Sequence, residues 1–379
     1  MQKNTETSSY FPELTGVRAV AAFMVYLHHY NPFKELPEFA FVYNFVNEFH
    51  VGVTVFFVLS GFLIGYRYIN TFSFTKAWFI KYVQNRVARI YPVYAALTIL
   101  TFVGGFYTGL YSGTSGFVTF LLNITFLRGF FDSFKFTGIA QGWSLTVEEC
   151  FYFSAPVIFY LYYKYKSFYL QPVLITIMGL GLVFVFHRFN CYGFFGTYKF
   201  LFLYTFLGRS LEFFVGIKLA LILQKRKEAA TVNSSRSFIT LVALVGIISC
   251  LCALACVKGD YTFGVETPIG ILINNVVLPI FIALLFYAVI TENTVVAKIL
   301  RTDIAVLLGK SSYVFYLIHL GVFHFLVGTL LQNFNAGIFK YCVTFVLLNI
   351  IAICIFKLFE EPLNKYLRGT VFSNTKQQA

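Results

Sequence analysis

The chain has 379 residues, 58% of them hydrophobic and only 12% charged, with a mean hydropathy of +0.74; a soluble globule could not hide that much apolar surface, so a bilayer is its solvent. The excess of 29 Lys and Arg over 16 Asp and Glu, net +13, would point to nucleic acid in a soluble chain, but here it reads as membrane topology and no nucleic-acid partner is expected. The seven cysteines show neither a CxxC pair nor a zinc spacing, so they read as small buried hydrophobes and no metal is expected.

A span needs about 20 predominantly apolar residues. Candidates fall at 14–30, 51–70, 90–110, 144–163, 171–188, 200–223, 238–257, 268–290, 308–331 and 338–359. The first is followed by Tyr30, Asn31, Pro32 and Phe33 rather than by a small-residue cleavage site, so it is expected to remain as a span. An eleventh apolar stretch, Gly116 to Phe126, is short and followed by Arg128, Asp132 and Lys135, and reads as a re-entrant or interfacial helix.

With ten spans and a cytosolic N-terminus, Arg67, Lys76, Lys81, Arg86, Arg89, Lys164, Lys166, Lys225, Arg226, Lys227, Arg236, Lys298, Arg301, Lys365 and Arg368 gather inside. Counting Gly116 to Phe126 as a span would put the 225–236 cluster outside, against the positive-inside rule. The prediction is an all-α, polytopic transmembrane bundle of about ten spans with both termini cytosolic. A cytosolic segment covers 1–13, a membrane domain 14–362 and a cytosolic tail 363–379, with no internal repeat and no appended soluble domain.

Ionisable residues inside a span cost several kcal/mol and are functional candidates by default. Arg18 and His29 are eleven residues apart, which on a helix is three turns plus about 20°, so they share one face about 16 Å apart along the axis. His28 points elsewhere. A histidine can serve as general base or transient nucleophile near neutral pH, and an arginine on its face can orient phosphate or carboxylate. Alternatively, Arg18 snorkels and His29 bonds a backbone carbonyl.

Arg86 and Arg89, three apart, share a helix face just before Pro92, which falls in the first turn of the predicted third span. Such a pair suits a polyphosphate, although positive-inside topology alone would also place it there. Trp143, Ser144 and Leu145 lead into Glu148 and Glu149 at the start of a span. A carboxylate there can favour the helix dipole, orient His29 or bind an acceptor hydroxyl. His319, and the pair Arg209 and Glu212 three residues apart, read as structural when taken singly.

Together these segments resemble the acyltransferase 3 family of membrane O-acyltransferases, from Leu14 to Pro362. The family's Leu-Asp-Gly-Leu-Arg-Ala opening, with a histidine eleven residues after the arginine, is Leu14, Thr15, Gly16, Val17, Arg18, Ala19 and then His29. Its Phe-Phe-x-Leu-Ser-Gly-Phe segment is Phe56 to Phe62, and its Arg-x-x-Arg-Ile-x-Pro motif is Arg86, Arg89, Ile90 and Pro92. Trp-Ser-Leu-x-x-Glu is Trp143, Ser144, Leu145 and Glu148. Ser-Tyr-x-x-Tyr-Leu-x-His is Ser312, Tyr313, Tyr316, Leu317 and His319, and the closing Glu-x-Pro region is Glu360, Glu361 and Pro362. The main departure is Thr15, where an aspartate is usual.

The resemblance implies a bacterial inner-membrane enzyme that takes acetyl or another short acyl group from a coenzyme A thioester and esterifies a sugar hydroxyl of a surface glycan or glycolipid, such as a polysaccharide or lipopolysaccharide. The acyl-coenzyme A is the donor substrate, a carbohydrate the acceptor and membrane lipid the surroundings, and a homo-oligomer is admitted. Arg86 and Arg89 would hold the coenzyme A phosphates, and Arg18 would guide the pantetheine arm. His29 would accept the acyl group or deprotonate the acceptor, and Glu148 would orient it or the acceptor. Trp143, Ser144, Ser60 and His319 complete the expected site. Acceptor handling would rest on the loops 31–50 and 111–142, or on a partner protein. The rival from another class is a secondary transporter using intramembrane His, Arg and Glu, which should show internal symmetry. No matching halves are present.

Overall fold

The computed structural model describes residues 10–34, 36–189, 191–228, 237–332 and 337–375. Arg236, residues 1–9 of the predicted N-terminal segment and 376–379 of the predicted tail lie outside the described residues. All regular structure described is helical, apart from one isolated bridge between Phe131 and Phe194. In chain order the helices are α1 (Pro12–His29), α2 (Ala40–Asn47), α3 (Gly52–Tyr68), α4 (Lys76–Tyr107), α5 (Gly113–Ile124), α6 (Trp143–Tyr165), α7 (Leu170–Phe186), α8 (Tyr198–Tyr204) and α9 (Phe206–Glu228). They continue with α10 (Phe238–Val257), α11 (Pro268–Leu272), α12 (Leu278–Thr291), α13 (Val295–Leu300), α14 (Asp303–Ile318), α15 (Val322–Leu330), α16 (Ile338–Ile355) and α17 (Glu361–Thr375).

Among the described residues, five stretches are long and apolar enough to cross a bilayer: Ala40–Tyr68, Lys76–Tyr107, Phe238–Val257, Pro268–Thr291 and Phe339–Arg368. The pair α14 and α15 makes a sixth if, bent by 90°, it counts as one. The all-helical membrane fold is as expected, but length and composition alone do not reach ten spans. The predicted spans 14–30, 144–163, 171–188 and 200–223 fall short. The reasons are physical: α7 has 17 residues, while α1, α6 and α9 carry Arg18, Glu148, and Arg209 with Glu212. These groups lower the mean hydropathy of their helices, yet they face cavities or partners inside the bundle, as intramembrane charge requires.

Three boundaries differ from the sequence reading. Helix α4 starts at Lys76, where the Thr75 hydroxyl accepts the Trp78 N–H at 3.3 Å, so Pro92 sits in the helix interior and not in its first turn. The span predicted at 308–331 breaks at Gly321, whose φ of +81° suits only a residue without a Cβ. After α16 the chain passes through a π turn, Phe356–Glu360, directly into α17, so helix runs through the predicted boundary at 362. Helix α5, at 12 residues, is about 18 Å long, against about 30 Å of hydrocarbon, as expected of an interfacial or re-entrant element.

Helices α3 and α9 cross backbone to backbone. A Cβ at Gly61 would strike the Phe213 carbonyl, and one at Gly216 that of Val58, the small-residue contact that replaces hydrophobic driving force in a bilayer. Phe213 stacks on Phe57 at 4.9 Å and on Phe151 at 4.4 Å, which brings α6 onto the same crossing. The start of α6 is tied down from outside. Fully buried Arg128 donates to the Thr137 and Ile139 carbonyls, and Gln141 Nε2 donates to the Tyr316 and Leu317 carbonyls at 2.8 and 2.7 Å. Those bonds set Trp143, Ser144 and Glu148 against α3 and α14.

Candidate functional site

Two cavities lie side by side within the bundle. The first, of about 70 Å³, is lined by Arg18 from α1, Ser60 from α3, Arg86 and Arg89 from α4, and Ser144, Glu148 and Tyr152 from α6. The second, of about 400 Å³, is lined by His28 and His29 at the end of α1, His50, Trp143, Tyr204, Arg209 and Glu266. Val53 and Tyr316 line both and form the wall between them.

In the arginine cavity the three guanidiniums repel one another. Glu148 lines the cavity with them, and Glu360, in the π turn before α17, acts on Arg18 and Arg89 from nearby. Glu148 is held by Tyr152, whose hydroxyl donates to Oε2 at 2.8 Å, and by Ser60, whose hydroxyl donates to Oε1 at 3.3 Å. Arg86 is buried; its guanidinium lies 5.6 Å from the Tyr68 ring and 5.9 Å from that of Tyr152, and its Nε has no hydrogen-bond partner. The lining thus holds three guanidiniums to one carboxylate, with Glu149 acting on Arg86 from outside it and one buried guanidinium donor unsatisfied.

The histidine cavity is wider and carries the imidazole ring of His29 on its surface, exposed and without a hydrogen bond. His28 lies 4.7 Å from His29, ring centroid to centroid. His319, wholly buried, lies 5.4 Å away on the other side and donates Nδ1–H to the Tyr316 carbonyl at 2.7 Å. Arg209 and Glu212 pair as their spacing predicts, at 2.6 Å, and Arg209 also donates to Thr54 at 2.9 Å and to the Leu203 carbonyl at 3.1 Å. The pair is buried, so each charge depends on the other.

Family comparison decides what these cavities belong to: the acyltransferase domain family matches residues 11–357, nearly the whole chain. The chain belongs to the acyltransferase 3 family. Among its relatives is the O-acetyltransferase OatA of Staphylococcus aureus (strain NCTC 8325 / PS 47), 24% identical over 376 residues that cover 94% of this chain and 57% of the relative. A putative O-acetyltransferase of S. aureus (strain COL) is 25% identical over 385 residues, covering 94% of this chain and 58% of the relative. The chain therefore spans less than three fifths of the length of these relatives. No solved structure matches it.

In this acyltransferase 3 chain the expected site residues divide between the two cavities. Arg18, Arg86, Arg89, Ser60, Ser144 and Glu148 line the first, and His29 and Trp143 line the second, with His319 packed behind His29. Arg18 and His29, on one face of α1, thus open to different cavities. Glu148 is not hydrogen bonded to His29; its carboxylate belongs with the arginines. Ser144 donates to the Gln141 carbonyl at 3.1 Å and shares a hydrogen bond with Tyr316 at 2.8 Å, fixing the dividing wall. The Trp143 ring meets Tyr204 edge to face at 4.9 Å.

Tyr152, His50 and its carboxylate partner Glu48 were not singled out by sequence reasoning, Tyr316 entered only as part of a motif, and His28 was set aside as pointing away from the Arg18 and His29 face, yet it lines the cavity. His28 fails the helical-wheel test because it sits in the last turn of α1, where the cavity wraps around the helix end. His50 lies in the 3₁₀ turn Glu48–Val51, where no periodicity exists to point at it. The loops expected to handle the acceptor do contribute Phe136, Ala140, Gln141 and His50, joined by Phe263 and Glu266 from a loop that the sequence did not mark.

Proposed function

We propose that this integral membrane protein is an O-acyltransferase that takes an acetyl or other short acyl group from a cytosolic acyl-coenzyme A and esterifies a hydroxyl of a surface glycan or glycolipid on the far side of a bacterial inner membrane. One observation carries the reading: an arginine-lined cavity and a histidine-lined cavity share Val53 and Tyr316 in their linings. The arginine cavity suits the donor. Arg86 and Arg89 hold its phosphates by charge-assisted hydrogen bonds, Arg18 guides the pantetheine arm, and Glu148, held by Ser60 and Tyr152, keeps the guanidiniums oriented. The histidine cavity suits the acceptor, with Trp143 offering a flat apolar face to a sugar ring.

His29 stands where the acyl group emerges. Unencumbered by any hydrogen bond, it either receives the acyl group and passes it on or draws the proton from the acceptor. His319 packs beside its ring. The positive-inside rule favours ten crossings with both termini in the cytosol, α1, α6, α7 and the α8–α9 pair completing the set with the apolar helices. The arginine cavity then opens toward the cytosol. A secondary transporter, the rival from another class, is disfavoured by membership of an acyltransferase family.

The test is to incubate membranes holding the protein or its His29→Ala variant with radiolabelled acetyl-coenzyme A and isolated cell-envelope glycan, then to count alkali-labile label in the glycan. Label that depends on His29 at equal protein levels is the expected result. Equal label from both would remove His29 from the chemistry. No label from either would remove the acyl-coenzyme A to glycan reaction.

A further inference from the structure

Four imidazoles gather on the acceptor side, and their hydrogen bonds assign each a different capacity. Among the described residues no three His, Cys, Asp or Glu side chains are placed to hold a metal ion, so the cluster is read through its protons. A carbonyl or carboxylate oxygen can only accept, so each such bond fixes which ring nitrogen carries hydrogen. His28 donates Nδ1–H to the Asn47 carbonyl at 2.6 Å, and His319 donates Nδ1–H to that of Tyr316 at 2.7 Å. His29 has no partner. His50 donates Nε2–H to Oε2 of Glu48 at 3.0 Å, which leaves Nδ1 as the lone-pair nitrogen of a ring that lines the cavity.

His50 is thus the cavity imidazole backed by a carboxylate. Glu48 is wholly buried, and its other oxygen accepts the Gly264 N–H at 2.8 Å, so the carboxylate cannot turn away. A carboxylate–imidazole pair is the arrangement by which a general base is held in one tautomer and steadied when charged. The His50 ring stands perpendicular to that of His28 at 5.4 Å, and His28 in turn contacts His29, so His50 shares the cavity with the proposed transfer histidine without touching it.

We propose that His50 is the general base for the acceptor hydroxyl and Glu48 its positioning residue. The inference rests on the acyltransferase reading above and divides the labour that reading leaves joined in His29. The acceptor oxygen attacks the acyl carbonyl carbon and forms the ester C–O bond while its proton passes to Nδ1 of His50. The bond from the acyl carbon to its carrier breaks, whether that carrier is the coenzyme A sulfur or a nitrogen of His29. The leaving thiolate or imidazole nitrogen is then reprotonated, and His50 returns to its neutral tautomer.

The experiment uses the full chain in membranes, with acetyl-coenzyme A as donor and isolated cell-envelope glycan as acceptor, and compares wild type with His50→Ala and Glu48→Gln. Acetyl-coenzyme A binding, kcat and KM for the glycan are measured with and without added imidazole. His50→Ala is expected to lower kcat by about 100-fold, to leave donor binding within about threefold, and to regain activity with imidazole, for which the cavity has room. Glu48→Gln is expected to lower kcat by about tenfold or more with KM little changed. The glutamine can still accept from Gly264, but its amide N–H faces His50 Nε2 and drives the ring hydrogen onto Nδ1. Turnover in His50→Ala within about threefold of wild type overturns the proposal, and so does a loss that imidazole does not restore while donor binding persists. If His50→Ala no longer binds the donor, the Glu48→Gln turnover decides in the same way. Absence of transfer in wild-type membranes would instead defeat the acyltransferase reading.

Discussion

The arginine cavity is lined from helix interiors, whereas the histidine cavity is assembled at helix ends and in loops. Arg18, Ser60, Arg86, Arg89 and Glu148 all sit within α1, α3, α4 and α6, on elements locked by the α3–α9 crossing and the Arg128 and Gln141 ties. His28 and His29 close the last turn of α1, His50 lies in a 3₁₀ turn, and Phe263 and Glu266 come from a loop. On the proposed assignment, the donor would be held by rigid elements and the acceptor by loop segments, which can vary without disturbing the bundle.

Four changes test that division. The largest effect is expected from His29→Ala: transfer to glycan falls by about 1,000-fold while acetyl-coenzyme A binding, followed with labelled donor, stays near wild type. Parallel loss of both would show that the cavities work as one. Next comes Arg209→Ala, which leaves buried Glu212 unpaired and is expected to cost about 3–5 kcal/mol of stability. Thermal unfolding in detergent would register this as a lower midpoint, and Arg209→Ala combined with Glu212→Gln should recover part of it.

Arg89→Ala removes a charge-assisted contact from the arginine cavity, worth about 1.5–3 kcal/mol, so the donor Kd should rise by about 10- to 100-fold with the glycan KM unmoved. A shift confined to the glycan KM would invert the assignment of the two cavities. The smallest effect is expected from Ser60→Ala, which removes one of two hydroxyls from Glu148 at about 0.5–1.5 kcal/mol and should lower kcat/KM for the donor severalfold at most.

Much of the arginine cavity was legible in the sequence because its residues lie on helices, where spacing translates into direction. The three-residue separation of Arg86 and Arg89 agrees with their lining one cavity, whereas Arg18 and His29, expected on one face from their eleven-residue separation, line different cavities. What spacing could not decide was tertiary. Whether Glu148 faces an arginine or a histidine depends on how α6 is rotated by the Gln141 and Arg128 anchors, and those bonds reach residues up to 176 positions away. The bend at Gly321 depends on a positive φ that composition does not reveal, since most glycines in spans serve close packing instead. The pairing of Glu48 with His50 lies in a turn too short to have a period. Ten spans were inferred from charge asymmetry, while length and apolarity alone support five or six.

Three of the four predicted spans that fall short, those of α1, α6 and α9, carry charged residues of the two cavities, and this bears on how the protein is made. A helix with an arginine or a carboxylate near its middle pays about 2.5–3.5 kcal/mol per charge to enter lipid on its own. Helices α1, α6 and α9 are therefore poor candidates for insertion one at a time and good ones for insertion as companions of α3, α4, α10 and α12. The site cannot precede the bundle; its parts enter the bilayer only as neighbours supply the partners, so assembly of the membrane domain and formation of the two cavities are the same event.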